Sequence, residues 1–518
     1  MKKINTELWE YTNGFTYPED EIKSVFKRNR DGETFGIAFS GGGTRSASAV
    51  NGQLKGLKEI GLLNHVKYIS AVSGGGWAAV PFMFLPQGMH ENDFFGPHPN
   101  PEKLAKSFIE NISHLSLLHI ISESEIAGKF TKNAFKGAGD ETYSRVLGDI
   151  FLEPFGLNDL DKFFTHDQET LNRAKKINPA LQNSDFYKTA KNRPFLILGA
   201  TILDHEWFAK TNKYPIEYTP FYVGVRKFFP SNEPVGGGYI NSFAYDSREP
   251  KIANPENKPV EVKLGSSRHK FTLSDMIGST GAAPQEMLDK FYLRFLGFPE
   301  FRHWAVHTEK GSHTYYDYNE FAHGDGGFLE YLGIMPLLSR KVNNIIVFIN
   351  GKTPFKYNVE NPLESEIGVS TKALFIAHKG FNKNIVLNGG DNAYQEILDN
   401  FAKRQQHGKT LMFCREYQVI DNDFYAIKKY ESVKICWIYN NRVNEWTKNL
   451  HPDYRFKIGK KGDFYNFPNY DTFFENFGKT IDLTKEQVVL LSNLSYWNVK
   501  NNKSTLIDFF GPKFFEKA

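Results

Sequence analysis

Residues 35–85 read FGIAFSGGGTRSASAVNGQLKGLKEIGLLNHVKYISAVSGGGWAAVPFMFL. Two glycine-rich turns interrupt this stretch, residues 40–45 (SGGGTR) and residues 71–76 (AVSGGG). Each turn closes a short apolar run and opens a segment with helical spacing of apolar residues. Strand, glycine turn and helix, repeated within about fifty residues, predict a βαβα unit of a parallel sheet.

The strand pattern of this unit returns later in the chain. Residues 194–203 and 344–350 are short continuous apolar runs, which is typical of strands buried on both faces of a sheet. Extended segments are predicted at residues 216–225 and 432–439, and helices at residues 392–403 and 484–498. The expected fold class is therefore α/β with a central, mostly parallel sheet.

The predicted domain organisation is simple. Residues 1–33 are polar and form an N-terminal arm or outer helix, and residues 34–518 form a single domain. Within that domain, residues 87–191 interrupt the strand pattern and predict a helical insertion. Two roles stay open for the insertion: a subdomain that covers the core, or a lid over a lipid-binding cleft.

Composition excludes some classes of function. The chain has 518 residues, 40% of them hydrophobic and 24% charged, and a formal net charge of only +4. This charge does not indicate nucleic-acid binding, although a weakly basic face would assist docking on an anionic membrane. The first residues lack the apolar core of a Sec signal peptide, and no apolar run reaches membrane-spanning length. We expect a soluble protein, cytoplasmic or exported by a non-Sec route, with peripheral membrane contact.

The chain has two cysteines, Cys414 and Cys436, both in apolar contexts. This pattern predicts buried free thiols, with neither a disulfide framework nor a zinc site.

Ser73 is the candidate nucleophile. A serine on a tight turn between a strand and a helix exposes its Oγ above the sheet, and the turn needs small residues two positions to either side. Ala71 and Gly75 occupy those positions. The alternative is a serine that only caps a helix in a glycine-rich turn.

Three consecutive glycines, Gly41, Gly42 and Gly43, follow the first strand. Such a turn directs backbone N–H groups into a cavity at a helix N-terminus. The sequence matches neither the phosphate-binding P-loop nor the G-x-G-x-x-G dinucleotide motif, so an oxyanion hole is favoured. Arg45 follows directly and would either neutralise an anionic head group or form a structural salt bridge.

Asp325 is the candidate base for Ser73. It lies in residues 322–327 (AHGDGG), where a double glycine follows the carboxylate and predicts an exposed turn. Taken alone, this pattern is also that of an ordinary turn. A Ser–His–Asp arrangement with His323 is the mechanistic alternative, although His323 and Asp325 would share one tight turn.

This ordered set, SGGGTR, AVSGG and HGDGG, resembles the catalytic domains of the patatin-like and cytosolic phospholipase A2 family. Further stretches are similar to the branch that includes the fungal phospholipase B enzymes: residues 192–194 (NRP) before FLILGAT, residues 217–221 (EYTPF) and residues 278–284 (GSTGAAP). The resemblance extends from about residue 36 to residue 502 in ordered blocks, and it covers residues 87–191 and 340–460 poorly.

The resemblance implies a three-layer sandwich and a Ser–Asp dyad without histidine. Ser73 would be the nucleophile and Asp325 the general base. Gly41, Gly42 and Gly43 would form the oxyanion hole. Arg45 and Gly74 would bind the substrate. Ala71 and Gly75 depart from the usual family residues but are small, so the elbow is retained.

The implied activity is hydrolysis of acyl esters in phospholipids or lysophospholipids, through an acyl-enzyme, at a membrane or micelle surface. No cofactor and no metal would take part, and calcium-triggered docking by a C2 module is not expected. Two alternatives stay open. A lipid transacylase would use the same dyad, and a non-catalytic lipid-binding module would retain the cleft without the reaction.

Overall fold

The computed structural model describes residues 3–29, 31–126, 128–129, 132, 142–204, 212–230, 234–248, 259–264, 270–283, 297–306, 320–460, 462–472 and 482–515. The strands are β1 Lys3–Thr6, β2 Leu8–Glu10, β3 Phe35–Phe39, β4 Tyr68–Val72, β5 Phe163–Thr165, β6 Phe186–Lys188, β7 Phe195–Asp204, β8 Asn212–Tyr218, β9 Tyr222–Val225, β10 Gly238–Asn241, β11 Ser247–Arg248, β12 Val260–Leu264, β13 Glu300–Arg302, β14 Glu320–Asp325, β15 Asn344–Ile349, β16 Leu411–Val419 and β17 Tyr430–Tyr439.

The α-helices in the described part of the chain are α1 Lys23–Phe26, α2 Gly43–Glu59, α3 Gly74–Met83, α4 Glu91–Phe95, α5 Lys106–Glu110, α6 Leu117–Ser122, α7 Thr142–Phe151, α8 Gln168–Ile177, α9 Leu273–Thr280, α10 Met335–Ser339, α11 Val369–Ala373, α12 Gly390–Gln406, α13 Asn444–Asn449, α14 Pro452–Arg455, α15 Lys485–Lys500 and α16 Lys503–Phe510. Among these described residues, no helix is both long enough and apolar enough to cross a membrane.

The main sheet is mixed, with a parallel centre. Its order is β16-β17-β15-β3-β4-β7-β8-β9-β10-β2, and β14 and β13 attach beside β7. The five strands from β17 to β7 run parallel to one another. Strands outside this centre pair antiparallel. The predicted α/β class with a parallel core is confirmed. The predicted extended segment at residues 216–225 is two strands, the end of β8 and β9, which pair antiparallel.

Alternation along the central strands creates two cores. In β3, Ile37 and Phe39 face the layer that contains α2, α3 and α15, and Ala38 faces the layer that contains α10 and α12. Because both faces of the strands are covered, β3 and β4 are buried along their whole length. The result is the predicted three-layer sandwich.

The N-terminal segment joins the sheets. β2 pairs with β10 at one edge of the main sheet, and β1 pairs with β12 in a separate three-stranded sheet. The segment is also tied down by charge, because Nε of buried Arg340 lies 2.8 Å from Oε1 of Glu19. The division into an arm of residues 1–33 and a domain of residues 34–518 stays a prediction.

Residues 87–191 contain α4 to α8 together with the short strands β5 and β6, within the part that the structure describes. α6 packs against both α2 and α15, and α7 packs against α9. The interpretation of residues 87–191 as a helical insertion, and its role as cover or lid, stays a prediction.

The prediction of free thiols is wrong. Cys414 and Cys436 are opposite each other in the antiparallel pair β16–β17 and are joined by a disulfide. The apolar context of each cysteine indicated burial, but it carried no information about strand register. The sequence analysis assigned no strand to residues 411–419, so it had no reason to align the two cysteines.

Candidate active site

Ser73 lies between β4 and α3 in an unusual backbone conformation. It is the N-cap residue of α3, with φ 53° and ψ −130°. A positive φ is rare for a residue with a side chain, and such strain persists only where the surroundings enforce it. This conformation is typical of a nucleophile elbow, in which a sharp turn raises the serine above the sheet.

Close backbone approaches enforce the elbow. A Cβ atom on Gly74 would overlap the backbone of Gly43, and a Cβ on Gly75 would lie 2.9 Å from the Ser40 carbonyl oxygen. Only glycine fits at these two positions. Ala71, where the family usually has glycine, is completely buried in β4, and its single methyl group is accommodated.

Thr280, at the end of α9, holds the elbow from the other side. Its hydroxyl accepts a hydrogen bond from the Ser73 N–H at 2.9 Å and donates one to the Gly199 carbonyl oxygen at 2.6 Å. The sequence analysis did not propose Thr280 as a site residue. The signal was the GSTGAAP stretch, which contains it; Pro284 of that stretch lies outside the described residues.

Asp325 reaches the same place from the opposite direction. β4 occupies one edge of β7, with Val72 opposite Gly199, and β14 continues along that edge, with Asp325 opposite Ala200. The other edge of β7 is occupied by β8. Because β4 is parallel and β14 antiparallel to β7, the carboxyl ends of β4 and β14 converge. The structure thus brings the two candidate dyad residues together, although 252 positions separate them (325 − 73).

The surroundings of Asp325 fix its turn. Its Oδ1 accepts a hydrogen bond from the Gly327 N–H at 2.7 Å, and its carbonyl oxygen accepts one from the Thr201 hydroxyl at 2.9 Å. The Asp325 N–H donates to the Ala282 carbonyl oxygen at 3.4 Å. Residues 280–282 therefore contact both Ser73 and Asp325.

Tyr143 is an aromatic residue near Asp325 that the sequence did not indicate. Its hydroxyl donates to the Gly281 carbonyl oxygen at 2.7 Å. Burial raises the pKa of the Tyr143 phenol far above its usual value, and the negative charge of Asp325 raises it further. Tyr143 therefore stays protonated and presents no competing charge to the dyad.

Only some of the N–H groups of the predicted oxyanion turn are free of hydrogen bonds. The Gly41 N–H donates to the Tyr331 carbonyl oxygen at 3.0 Å, so this amide already has an acceptor. Gly42 and Gly43 have φ of 132° and 54°, a region that favours glycine. Within the described residues, the N–H groups of Gly42 and Gly43 have no acceptor. Those two amides are the candidate donors.

Arg45 forms hydrogen bonds with residues around this turn. Its side chain is buried, and its Nε donates to the Asn350 carbonyl oxygen at 2.9 Å. Its terminal nitrogens donate to the Tyr470 carbonyl oxygen and to the hydroxyls of Thr472 and Tyr331. No carboxylate of the described residues pairs with Arg45, so the alternative of a structural salt bridge is not observed there, and its bonds go to neutral oxygens. The binding of substrate by Arg45 stays a prediction.

Tyr331 connects the oxyanion turn to the turn of Asp325. A Cβ on Gly41 would lie 3.2 Å both from the Tyr331 ring and from Ser73 Cβ, and a Cβ on Gly327 would lie 3.6 Å from the same ring. The Tyr331 hydroxyl donates to the Asn350 carbonyl oxygen at 3.1 Å. One aromatic ring therefore fills the space between the two turns.

His323 is engaged elsewhere. Its Nε2 lies 2.8 Å from the Tyr245 hydroxyl, and its Nδ1 lies 2.9 Å from the Phe321 carbonyl oxygen. Burial lowers the pKa of the His323 imidazole to about 3. Both ring nitrogens have partners away from Ser73, so the geometry favours the dyad over a triad.

Local sequence matches link the chain to known proteins. No protein-family model matches it. The chain is 26% identical over 195 residues to cytosolic phospholipase A2 zeta of Mus musculus. The matched stretch covers 37% of this chain and 20% of that protein. It is 43% identical over 79 residues to cytosolic phospholipase A2 beta of Homo sapiens, 15% of this chain and 9% of that protein. The chain thus spans a fifth or less of these curated relatives.

The fold extends the similarity to nearly the whole chain. Human GIVD cytosolic phospholipase A2 has a similar structure, with a TM-score of 0.51 at 13% identity, covering 96% of this chain and 65% of that chain. The order of the strands and the helices on both faces of the sheet define a layered α/β domain with the fold of that structure. The resemblance to a patatin-like, cytosolic phospholipase A2 catalytic domain, predicted from the motifs, is confirmed as a similarity of the fold and of local stretches of sequence.

Proposed function

We propose that the chain is a phospholipase or lysophospholipase that cleaves acyl esters with Ser73 as nucleophile and Asp325 as general base. The observation that carries the proposal is the convergence of β4 and β14 at Gly199 and Ala200 of β7. This convergence supports the proposal, because the strained elbow of Ser73 and the fixed turn of Asp325 follow strands that end at the same point of the sheet. The names of the relatives support phospholipids as the substrate class.

The reaction follows from these positions. The Asp325 carboxylate takes the proton from Ser73 Oγ as Oγ attacks the ester carbonyl. The negative charge that develops on the carbonyl oxygen is stabilised by the N–H groups of Gly42 and Gly43, with the positive charge of Arg45 behind them. Asp325 returns the proton to the leaving lysolipid or alcohol. It then removes a proton from water, which attacks the acyl-enzyme, and it returns this proton to Ser73 Oγ as the fatty acid is released.

Arg45 acts in this proposal as a positioning residue. Its donors hold Asn350, Tyr470 and Thr472 in place, and the Thr472 hydroxyl in turn donates to the Gly42 carbonyl oxygen at 2.7 Å. The same cation also favours an anionic head group in the cleft. Substrate would reach the site by peripheral contact of the protein with a membrane or micelle.

The test is fatty-acid release from phosphatidylcholine and lysophosphatidylcholine micelles. Ser73→Ala and Asp325→Asn should each lower kcat by about a thousandfold or more. The two residues act as a unit, so the loss of either one removes most of the rate enhancement that depends on both. Ser184→Ala and Asp391→Asn are matched controls on exposed positions and should retain activity. Undiminished release by Ser73→Ala would reject the proposal.

Product analysis separates the alternatives. Addition of a lipid alcohol as acceptor should leave free fatty acid as the main product; an acylated acceptor would instead identify a transacylase. A fluorophosphonate probe should label the wild-type protein and not Ser73→Ala. Lipid binding without any labelling would identify a non-catalytic binding module.

A further inference from the structure

A second concave surface lies at the amino ends of β4 and β7, opposite to the dyad. This amino-end groove has a volume of about 1440 Å³. Its lining comes from α1, from the segments that precede β4 and β7, and from loops of residues 87–191: residues 23–24, 27–28, 64, 84–89, 91, 156–157, 166–169 and 186–193. The five residues of β4 separate it from Ser73 by roughly 16 Å, at about 3.3 Å for each residue of a strand.

Part of the groove lining is apolar. Phe84 and Leu85, directly after α3, line it together with Met89, Leu157 and Phe186. Four of these side chains are buried, and Met89 is half-buried. An alkyl chain that lay on this surface would remove apolar area from water at about 25 cal/mol per Å².

The rim of the groove is cationic. Lys23, Lys27, Lys188 and Lys191 are exposed around it. The three carboxylates of the groove already have donors: Glu91 pairs with Lys58 and Arg193, Asp167 accepts from Ser24, and Glu169 accepts from the Lys23 N–H. The lysines at the rim are therefore in excess over the carboxylates that face them.

Arg28 adds a largely buried cation to this surface. Its guanidinium donates to the carbonyl oxygens of Val66 at 2.7 Å and Asn192 at 2.6 Å, and no carboxylate of the described residues pairs with it. Burial lowers the pKa of Arg28 to about 10, and the nearby charge of Arg193 lowers it further. Of the two neighbouring guanidinium groups, Arg193 pairs with Glu91 and Arg28 pairs with no carboxylate of the described residues, so an additional anion would be stabilised here.

His166 is a buried polar side chain in the wall of the groove. It lines the groove, its side chain is 2% exposed, and its Nδ1 has no hydrogen-bond partner among the described residues. A buried polar atom without a partner costs about 1–3 kcal/mol unless a ligand or water satisfies it.

We propose that the amino-end groove binds a single-chain anionic amphiphile. Its alkyl chain lies along Phe84, Leu85 and Met89, and its carboxylate or phosphate lies among Lys27, Arg28 and Lys191. The site is separate from the Ser73–Asp325 dyad and does not depend on the proposed hydrolysis. The two are mechanically linked, because α3 carries Ser73 at its amino end and leads into Phe84 at its carboxyl end.

The test is calorimetric titration of the full chain carrying Ser73→Ala, so that no turnover contributes heat. The probes, all below their micellar concentrations, are laurate, dodecyl phosphate and dodecyltrimethylammonium. Laurate and dodecyl phosphate should bind, and the cationic probe should bind at least about tenfold more weakly, equivalent to about 1.4 kcal/mol. Their relative affinities identify whether a fatty acid or a phosphate amphiphile is the better ligand. Equal affinity for all three probes would overturn the proposal.

Variants assign the binding to this groove. Lys27→Glu/Lys191→Glu should weaken laurate about tenfold or more, because two attractive charges become repulsive. Met89→Ser should weaken laurate through the lost apolar contact. Lys379→Glu/Lys403→Glu is the matched control, since both lysines are exposed and lie outside the groove lining. Equal loss in the control, or no loss in the groove variants, would overturn the proposal. Neither result bears on hydrolysis, which is measured separately with Ser73 intact.

Discussion

Val72 and Asp325 occupy consecutive places on one edge of β7, opposite Gly199 and Ala200. One strand arrives parallel to β7 and the other antiparallel, so two chain segments end at the same point of the sheet. Since consecutive residues of a strand are about 3.3 Å apart, this register brings the residue after Val72 beside the carboxylate. The position of the site is thus a property of strand order.

Gly74→Ala tests the close approach of the two glycine turns. The added methyl group would overlap the backbone of Gly43, so either the elbow or the oxyanion turn must shift. We expect a loss of about 1–3 kcal/mol in the free energy of unfolding, together with a large fall in kcat. Urea unfolding and fatty-acid release measure the two effects. Gly368→Ala is the control, because no atom lies within 4 Å of its Cβ position.

Thr280→Val tests the support of the elbow. The change keeps the shape but removes the acceptor for the Ser73 N–H and the donor to the Gly199 carbonyl. Leaving these buried groups unsatisfied should cost about 1–3 kcal/mol of stability, and kcat should fall more than KM changes. Thr280→Ser retains the hydroxyl and should recover most of kcat. Undiminished kcat in Thr280→Val would show that the hydroxyl does not support the elbow.

Arg340→Met tests the buried charge network that anchors the N-terminal segment. Arg340 binds Glu19 and Glu217, each at 2.8 Å, and both carboxylates are buried. Removing the arginine leaves Glu19 without its cation, which should cost about 3–5 kcal/mol. Denaturant unfolding measures the loss, and Glu19→Gln in the same chain should restore part of it.

The exposed ion pair of Arg415 with Glu396 provides the comparison for Arg340. Arg415→Met should change the free energy of unfolding by less than about 1 kcal/mol, because solvent screens a surface pair. Equal effects of the two substitutions would show that burial does not govern the Arg340 network.

Glu330→Gln should change how stability depends on pH. Burial raises the pKa of Glu330 to about 7, although its carboxylate accepts hydrogen bonds from the Leu332 and Met335 N–H groups. A carboxyl group whose pKa is raised in the folded state stabilises the fold fully at pH values below its unfolded pKa, near 4.5. This contribution is lost as the pH rises through the folded pKa of about 7. The lost contribution is on the order of 3 kcal/mol.

The measurement for Glu330 is urea unfolding at several values between pH 4.5 and pH 8. Wild type should lose stability relative to Glu330→Gln over this interval, and the difference should become constant above pH 8. Glu364→Gln, at an exposed loop position, should follow wild type throughout. Parallel curves for wild type and Glu330→Gln would contradict the prediction.

The local parts of the site were predictable from the sequence. A glycine turn between an apolar strand and a helix is encoded by adjacent residues, so the turns at residues 41–43 and at Ser73 could be predicted from spacing, with a simple helix cap still open for Ser73. Asp325 was assigned as the base only through the resemblance, because its motif taken alone is that of an ordinary turn. Each of these signals lies within about ten residues, the range over which side-chain periodicity and turn chemistry act.

The supporting residues were not predictable in this way. Arg45 meets Tyr470 and Thr472, which are more than 400 positions away in the chain, and no local pattern connects them. Thr280 acts through one hydroxyl in a stretch that reads as an ordinary turn. The disulfide between Cys414 and Cys436 depends on the register of two strands. All three are consequences of tertiary contacts that form only when the sheet is assembled.

The hydrogen bonds of Arg45 with Tyr470 and Thr472 determine when the candidate site can be completed during synthesis of the chain. Ser73 leaves the ribosome long before Asp325, and the segment that holds the oxyanion turn follows almost 150 residues after Asp325 (472 − 325 = 147). Domains generally form as their segments emerge. The proposed nucleophile is therefore made first and stays without its proposed base and the completed glycine turn until the chain is nearly finished. If the proposed mechanism holds, a nascent chain has no esterase activity, and a form that ends before residue 470 lacks the residues that hold the turn at residues 41–43.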